Sequence, residues 1–520
     1  MLPTRPPRRR ASLAIVAAIA LAGCAADPVA RPRGEPGQAR PPAAAGLLAD
    51  AEAQVRRDHG PDRSGFHLLD RNEDGLRWRL ALVDAATRSL DLQYYVWWAD
   101  ESGELLMKHV IDAANRGVKV RLILDDLSTI LKDAAQVAER DEAMARVNAH
   151  PNIEIRLFNT WNRRGLGGRG YEFLERMERI NHRMHNKLMV ADNRAAIIGG
   201  RNIGNEYFGL SPEFNFRDLD VLGIGPVARQ ASQVFDSFWN SEWVTPVTGL
   251  GVDATTADLR RDYAPLRHRL ASAEAITRFR LDPADRSPAI RALIPQLHPG
   301  SSQVHSDKPD LDVPRHHMPK AIRQLVGTTR SELLITNAYI IPDDDAVAEL
   351  KALGSRGAKV RVLTNSLSSH DVPAVNSHYK AWRRPLIEAG VDLHETRADA
   401  AIQPLLVDTP PTRAEFMGLH VKAMVVDRQR VFIGSMNLDP RSARINSEMG
   451  VIIDSPGLAR ELAATMERDM QPENAWRVSL AGDGSPRWRS GSQTLDAQPA
   501  RSLWQRVQDV IFMAFPRDLY

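Results

Sequence analysis

One pattern of histidine, lysine, aspartate, glycine and asparagine occurs twice in this chain, and every spacing within it is kept. The two copies consist of His185, Lys187, Asp192, Gly199 and Asn202, and of His420, Lys422, Asp427, Gly434 and Asn437. A single copy of so short a motif could arise by chance. Two complete copies indicate two related halves that together supply one chemical site.

The sequence before each motif repeats as well. Residues 90–96 alternate apolar and polar side chains as a strand does, residues 105–114 follow a helical period, and residues 118–124 alternate again. A similar block recurs over residues 320–365. Strands that alternate with helices predict an α/β fold, in which helices flank a mainly parallel or mixed sheet.

Each motif is predicted to form a β-hairpin, because apolar runs lie on both sides of a short polar turn. The histidine and lysine stand two residues apart, so their side chains lie on the same face of the first strand. The glycine and asparagine end the return strand beside them, where a glycine lets the backbone approach a ligand closely.

Paired histidines, lysines and asparagines suit phosphodiester chemistry. One histidine can attack phosphorus and carry the group covalently. The other can donate a proton to the leaving oxygen. Lysine and asparagine donate hydrogen bonds to the non-bridging oxygens. The sequence has no compact cluster with metal-ligand spacing, so neither a metal nor another cofactor is expected.

A histidine in such a site needs a partner that orients its ring, and a carboxylate can serve. Asp218 and Glu448 hold matching places before the strand that follows each motif. We expect Asp218 to orient His185 and Glu448 to orient His420. The alternative for Asp218 is a surface salt bridge with Arg217.

The composition is that of an ordinary globular protein. The chain has 520 residues, 43% of them apolar and 26% charged, which is enough for two or more domains with cores of their own. Residues 1–23 contain four arginines and no acid, so without them 68 basic residues against 65 acidic become 64 against 65. A chain without positive excess is a poor general binder of nucleic acid, and no nucleic-acid partner is expected.

The first residues resemble a bacterial lipoprotein signal peptide over residues 1–23. A basic head precedes an apolar run at 12–22, and small residues then lead to Cys24, the one cysteine of the chain. The resemblance implies cleavage before Cys24, acylation of its thiol and a periplasm-facing place in the cell envelope, with Ala25 favouring the outer membrane. The alternative is an ordinary secretory signal. Residues 24–48, rich in proline, alanine and glycine, are expected to be a flexible tether.

The duplicated motif resembles that of the phospholipase D superfamily, and the match covers about residues 70–470. Within the superfamily, several stretches are most similar to the bacterial cardiolipin synthases of the C type. They are Leu92–Trp97, Arg179–Lys187, Gly199–Phe208 and Thr364–Leu367 with His370–Val372. Small departures are Gly200 where the second copy has Ser435, and His182 where the C-type pattern more often has arginine.

The resemblance implies two duplicated α/β sandwich domains, at residues 49–248 and 249–480, that form one shared active site. By analogy His185 is the nucleophile and His420 the acid, although the sequence leaves their order open. The phosphate-binding residues would be Lys187, Lys422, Asn202 and Asn437. The turn residues Asp192 and Asp427 point away from the histidine face and are expected to be structural.

Two segments are less regular. Residues 281–318 have little periodicity and are expected to be a long connection or lid. Residues 481–520 are expected to be a tail with an amphipathic helix, whose apolar stripe includes Leu503 and Val507. That helix would either lie at a membrane interface or pack on the domain surface.

The resemblance favours a phosphatidyltransferase that makes cardiolipin from phosphatidylglycerol and a second phospholipid through a phosphatidyl-histidine intermediate. A phospholipase D that releases phosphatidic acid is the main alternative, since the intermediate does not choose between water and an alcohol. A nuclease, another phosphodiesterase or an inactive membrane-binding protein is less favoured. The expected partners are phospholipid substrates and the membrane.

Overall fold

The computed structural model describes residues 32–126, 137–162, 172, 175–279, 283–309 and 316–514. The signal peptide and Cys24 lie outside these residues. Within them no helix is both long enough and apolar enough to cross a bilayer.

The first half of the chain forms a mixed sheet in the order β9-β4-β3-β2-β5-β6-β8-β1. The strands of this half, including β7 of a separate small sheet, are β1 Ser64–Leu69, β2 Ser89–Tyr94, β3 Lys119–Asp125, β4 Ile153–Phe158, β5 Lys187–Ala191, β6 Ala195–Gly199, β7 Phe214–Arg217, β8 Asp220–Ile224 and β9 Val244–Pro246.

The second half repeats this arrangement in the order β10-β17-β16-β15-β11-β12-β13-β18-β19-β20. Its strands are β10 His298–Ser306, β11 Glu332–Asn337, β12 Lys359–Asn365, β13 Asp392–Thr396, β14 Phe416–Leu419, β15 Lys422–Val426, β16 Arg430–Gly434, β17 Met449–Asp454, β18 Ala475–Leu480, β19 Pro486–Ser490 and β20 Gln493–Leu495. Antiparallel pairing of β1 with β10 joins the two sheets into one. Strands β7 and β14 pair in parallel across the halves.

Helices cover the faces of the joined sheet. They are α1 Leu47–His59, α2 Asn72–Ala85, α3 Glu101–Asn115, α4 Val137–Asn148, α5 Met177–Asn181, α6 Pro226–Trp239, α7 Thr256–Ser272, α8 Pro283–Leu293, α9 His317–Gly327, α10 Asp344–Ser355, α11 Pro373–Tyr379, α12 Arg383–Glu388, α13 Pro440–Arg444, α14 Pro456–Asp469 and α15 Leu503–Ile511. Short 3₁₀ segments, among them Asn205–Tyr207 and Phe512–Ala514, and a π segment at Gln403–Val407 lie between or after these helices. The α/β class and the duplication predicted from the sequence are confirmed.

The predicted strand–helix–strand units are present in both halves. Strands β2 and β3 pair in parallel on either side of α3, as β11 and β12 do on either side of α10. Each crossover helix begins at an aspartate that accepts a hydrogen bond from the backbone three residues on, Asp100 in α3 and Asp343 in α10. The repeat therefore extends to helix capping.

The expected boundary between the domains at residue 248 is wrong. Buried side chains from residues 259–297, including Leu259, Ile276 and Leu293, belong to the first hydrophobic core. The second half therefore begins at β10. Another core lies between the halves, where α6 and α14 pack together with strands of both sheets. The tail also begins later than residue 481, because β19 and β20 still extend the second sheet.

Residues 281–318 are not simply a long connection. They contain α8 and the nine-residue strand β10, which pairs with β1 on one side and β17 on the other. The sequence of β10 is mostly polar and small (HPGSSQVHS), so it shows no apolar alternation. Its pairing with two neighbouring strands, rather than its own side chains, makes it a strand.

The tether predicted at residues 24–48 is also partly wrong. Residues 32–43 have no helix or strand, but their backbone is bound to the first half. The amides of Gly37 and Ala39 donate to Asn240 and Asp236, both at 2.8 Å, and Ala43 is buried. Helix α1 then begins at residue 47. A segment with so many backbone partners is part of the domain rather than a free linker.

Candidate active site

Both motifs form the predicted hairpins, with β5 and β6 in the first half and β15 and β16 in the second. At each turn two successive residues have positive φ, which is the geometry of a tight two-residue hairpin turn. Asp192 accepts hydrogen bonds from the backbone amides of Thr87, Arg88 and Ser89 at 2.7–3.1 Å. Asp427 accepts from those of residues 330–332 at 2.8–3.2 Å. The turn aspartates thus tie each hairpin to the start of the neighbouring strand.

Each histidine lies just before its hairpin strand, where it meets the other half. The backbone amide of His185 donates to the carbonyl of Ser447 at 2.8 Å, and that of His420 donates to the carbonyl of Arg217 at 2.8 Å. These two contacts are related by the internal duplication. They place both histidines at the interface between the halves, as one shared site requires.

The orienting carboxylates are exchanged between the halves, which corrects the pairing expected from the sequence. Glu448 Oε2 lies 2.9 Å from Nδ1 of His185, and Asp218 Oδ2 lies 2.6 Å from Nδ1 of His420. Each carboxylate therefore serves the histidine of the other half. The reason is that the residues just before each hairpin strand lie against the other half: Met184 pairs with Ser447, and His420 with Arg217. With Nδ1 bound to a carboxylate, Nε2 of each ring is the nitrogen left for chemistry.

The difference between Gly200 and Ser435 follows from the length of the carboxylate beside it. A side chain at Gly200 would place its Cβ only 2.3 Å from Oδ1 of Asp218. In the second half the longer Glu448 leaves room, and the hydroxyl of Ser435 donates to its Oε2 at 2.5 Å. The small glycine thus fits beside the aspartate in one half, and the serine fits beside the glutamate in the other.

Gly200→Ala tests this fit. We expect the added Cβ to displace the Asp218 carboxylate and lower kcat about 10- to 100-fold, the usual effect of disturbing a residue that orients a reacting group. The control is Ser435→Ala, which removes the hydroxyl that donates to Glu448 and accepts from the amide of Met449, without crowding the carboxylate. Steady-state kinetics with both variants, alongside thermal unfolding, measures this. A Gly200→Ala enzyme with wild-type kcat would contradict the fit.

The two lysines are buried beside the histidines. Lys187 Nζ donates to the carbonyl of His185 at 2.7 Å, and Lys422 Nζ donates to that of His420 at 2.5 Å. Burial lowers the pKa of Lys422 to about 8 and that of Lys187 well below its ordinary value. An anionic phosphate would favour the charged form of both lysines, so binding of the phosphate and protonation of the lysines support each other.

The two asparagines differ. The amide nitrogen of Asn202 already donates to the hydroxyl of Tyr207 at 2.9 Å, and its oxygen accepts from the backbone of Val96. The side-chain oxygen of Asn437 is buried and has no hydrogen-bond partner among the described residues. Asn437 therefore has an oxygen left to accept a hydrogen bond, for example from a headgroup hydroxyl.

The two histidine–carboxylate pairs have different electrostatics. Burial and then the charge of Lys187 lower the pKa of His185 well below its ordinary value, and burial raises the pKa of Glu448 to about 7. Burial also lowers the pKa of His420, but the neighbouring Asp218 opposes that effect. Although burial would raise the pKa of Asp218, its pairing with His420 holds the pKa below the usual value. His185 thus favours the neutral ring that a nucleophile needs, and His420 is the better supported as a cation.

Two residues that fix the histidine strands were not predicted from the sequence. Asp125, at the end of β3, accepts from the amide of Met184 at 2.8 Å, and Asn365, at the end of β12, accepts from the amide of Leu419 at 3.0 Å. Each bond holds the residue just before a histidine. Their matching places at the ends of equivalent strands were a usable signal, which the change from aspartate to asparagine concealed.

Aromatic side chains pack against both histidines. The sequence had not led us to predict a role for them. The ring of Tyr95 lies 4.8 Å from that of His185, edge to face, and Tyr207 and Phe216 lie 5.3 and 5.0 Å from His420. Tyr95 follows β2 directly, and Tyr207 lies in the 3₁₀ turn after the first motif. They limit the rotation of the imidazoles and exclude water from one side of each.

The shifted pKa values of the active-site groups predict a bell-shaped pH dependence of kcat/KM in the free enzyme. Below about pH 7 the Glu448 carboxyl is protonated, and it can no longer hold the proton of His185 on Nδ1. As the pH rises, His420, whose pKa burial lowers, loses the proton that we expect it to give to the leaving oxygen, and above about pH 8 Lys422 also loses its positive charge. We expect Lys422→Arg, which stays charged, to retain a larger share of its maximal activity above pH 8 than the wild type does. A profile that is flat from pH 6 to 9 would contradict this assignment.

No group of three or more histidine, cysteine, aspartate or glutamate side chains among the described residues could hold a metal ion. Lys187 and Lys422, one from each half, contribute positive charge at the site, and the charge of Arg441 also acts on His185.

Comparisons with known proteins identify the family. The family model described as "Cardiolipin synthase, PLD-like domain" matches residues 80–239 and 322–470, one match for each half. Cardiolipin synthase C of Escherichia coli is 34% identical over 473 residues, which are 88% of this chain and 96% of that protein. An uncharacterised protein of Helicobacter pylori is 32% identical and covers 87% of this chain and 85% of its own length.

A solved structure shares the fold. The crystal structure of phosphatidylserine synthase from Haemophilus influenzae superposes with a TM-score of 0.55 at 13% sequence identity, and covers 81% of this chain and 90% of that one. The duplicated hairpins, the crossed carboxylates and the family match over both halves lead to one conclusion: this chain belongs to the phospholipase D-like family of the cardiolipin synthases.

Proposed function

We propose that this protein is a phosphatidyltransferase, which makes cardiolipin from phosphatidylglycerol and a second phospholipid. The observation that carries the proposal is the pair of complete half-sites, each with a histidine, a lysine and a carboxylate from the opposite half. The relatives named cardiolipin synthase support the same reaction.

In the first step Nε2 of His185 attacks the phosphorus of the donor lipid, and the bond from phosphorus to the headgroup oxygen breaks. His420 gives its proton to that oxygen, and the product is phosphatidyl-His185. Lys187, Lys422 and the amide of Asn437 hold the non-bridging oxygens. In the second step His420 takes the proton from an acceptor hydroxyl, whose oxygen attacks phosphorus and releases His185.

The acceptor decides between transfer and hydrolysis. A hydroxyl of phosphatidylglycerol gives cardiolipin, and water gives phosphatidic acid from the same intermediate. Burial of both histidines, with the aromatic rings of Tyr95 and Tyr207 beside them, favours the alcohol because it restricts water at phosphorus. With charge supplied by the lysines, we expect activity to persist in the presence of EDTA.

We infer the cellular location of the protein from its amino-terminal sequence. Acylation of Cys24 would anchor the protein to the envelope membrane, facing the periplasm, and the residue after it favours the outer membrane. Residues 32–43 lie along the first half, so a short segment after Cys24 would hold the protein close to the bilayer. Mass spectrometry of the mature amino terminus tests the modification.

Lipid mass spectrometry on the purified, detergent-solubilised protein tests the reaction. The enzyme is given phosphatidylglycerol alone and then with phosphatidylethanolamine, with His185→Ala as the control. Cardiolipin that depends on His185 is the expected product, and the pair of lipids required identifies the donor. Phosphatidic acid without cardiolipin would replace the synthase by a hydrolase.

A further inference from the structure

The last helix, α15, turns its apolar side outward. Its inward residues, Gln505 and Asp509, are buried although they are polar. Its large apolar side chains and that of the following turn are 46% to 82% exposed: Leu503, Trp504, Val507, Val510, Ile511 and Met513. Among the described residues these six make up most of the exposed large hydrophobic side chains, so the outward face of α15 is the main apolar surface there.

Buried polar contacts hold α15 in this orientation. Asp509 accepts from the side chains of Asn376 at 2.6 Å and Lys380 at 2.7 Å, both in or beside α11. Gln498 donates to the same carboxylate at 2.9 Å. Rotation of the helix to bury its apolar face would separate Asp509 from these three side chains. The partners that it leaves behind would include the charged Lys380, no longer paired. The exposed face is thus built into the fold.

The same helix touches a loop that reaches the active site. Gln505 and Arg501 donate to backbone carbonyls of residues 367 and 368. Three residues further on, Asp371 accepts from the hydroxyl of Tyr339 at 2.8 Å. The same loop begins after Asn365, whose side-chain amide donates to the carbonyl of Leu419, the residue before His420, at 2.8 Å. The apolar face of α15 therefore lies one loop away from the catalytic residues.

We propose that α15 lies in the surface of a phospholipid bilayer, with its apolar face among the acyl chains, and so sets the active site at the level of the headgroups. This inference rests on the proposed function, in which the substrates are membrane phospholipids. An exposed tryptophan among aliphatic side chains, with an arginine (Arg506) on the same helix, suits an interface with anionic headgroups. A partner protein or a second copy would cover this face without bringing the adjoining site to its phospholipid substrates.

A single fluorescent label tests the location of α15. In the full chain with Cys24→Ser no other thiol remains, so Val507→Cys can carry an environment-sensitive dye. Vesicles of phosphatidylglycerol and phosphatidylethanolamine, with or without nitroxide on the acyl chains, should shift its emission to the blue and quench it. The matched control is a dye at Arg261→Cys on α7, a side chain 68% exposed, which should stay in water.

Two outcomes of this labelling experiment would overturn the proposal. One is a label at position 507 that stays water-like while the protein is bound to vesicles. The other is a blue shift at 507 that depends on protein concentration and needs no lipid, because it would mean that a second copy covers the face. Neither result depends on turnover, so the experiment remains informative even if the proposed reaction is wrong.

Activity gives an independent test. The triple variant Trp504→Ser, Val507→Ser, Ile511→Ser changes exposed side chains, so its unfolding temperature should be that of the wild type. We expect at least a 10-fold loss of turnover on vesicles and less than a 2-fold change on substrate dispersed in detergent micelles. Equal rates on vesicles, or an equal loss in both assays, would overturn the interfacial role.

Discussion

Alanine at His185 or at His420 is expected to lower phosphatidyl transfer by about 10⁴-fold or more, the scale seen when one member of a catalytic unit is removed. The two losses differ in origin. Without His185 no covalent intermediate can form. Without His420 the leaving alcohol receives no proton, although the nucleophile is intact. Initial rates of cardiolipin formation at saturating phosphatidylglycerol measure both losses.

The control for this prediction is His298→Ala. That histidine pairs with Glu461 at 2.9 Å on the surface, outside the site, and its removal should leave the rate within 2-fold of the wild type. A donor lipid with a good leaving group separates the two active-site variants. It should restore the first step in His420→Ala and not in His185→Ala. Rescue of His185→Ala instead would reverse the two roles.

Glu448→Gln and Asp218→Asn are expected to lower kcat by about 10² to 10⁴-fold while the protein stays folded, as loss of the charge behind a catalytic imidazole does elsewhere. The amide that replaces each carboxylate can donate a hydrogen bond to Nδ1 and so favour the wrong tautomer. Nε2 would then carry a proton and could not attack phosphorus or accept a proton.

The crossed pairing of the carboxylates and histidines allows a more specific prediction for the same two variants. In spectra of ¹⁵N-labelled histidine, Glu448→Gln should change the ring resonances and titration of His185 and leave those of His420 nearly unchanged. Asp218→Asn should do the reverse. If each variant instead affects the histidine of its own half, the crossed pairing is wrong.

Much of this architecture was predictable because it is local in the sequence. The hairpins follow from apolar runs around a polar turn, and the crossover units follow from the change between alternating and helical patterns around Leu90, Val110 and Val120. The duplication supplied a second, independent copy of each signal. The pairing of Glu448 with His185 could not be predicted, because it depends on how the halves meet and not on the order of residues within one half.

Three other features could not be predicted from the sequence, for related reasons. Strand β10 is polar, and its neighbours alone make it a strand. Residues 32–43 look like a linker, yet their backbone finds partners on the first half. The amphipathic pattern of α15 was visible, but a pattern does not say which face meets the protein. The buried carboxylate of Asp509 determines that here.

The most direct test of the shared site is detection of the covalent intermediate. The His420→Ala protein would be mixed with a phosphatidyl ester of p-nitrophenol, whose leaving group needs no proton, and quenched with base, in which a phosphorus–nitrogen bond survives. Peptide mass spectrometry should find one phosphatidyl group per chain on His185, none when His185→Ala is added, and its formation at least 100-fold slower when Glu448→Gln is added. A phosphatidyl group on any other residue, or none on His185, would contradict a nucleophile in one half that is oriented by the other.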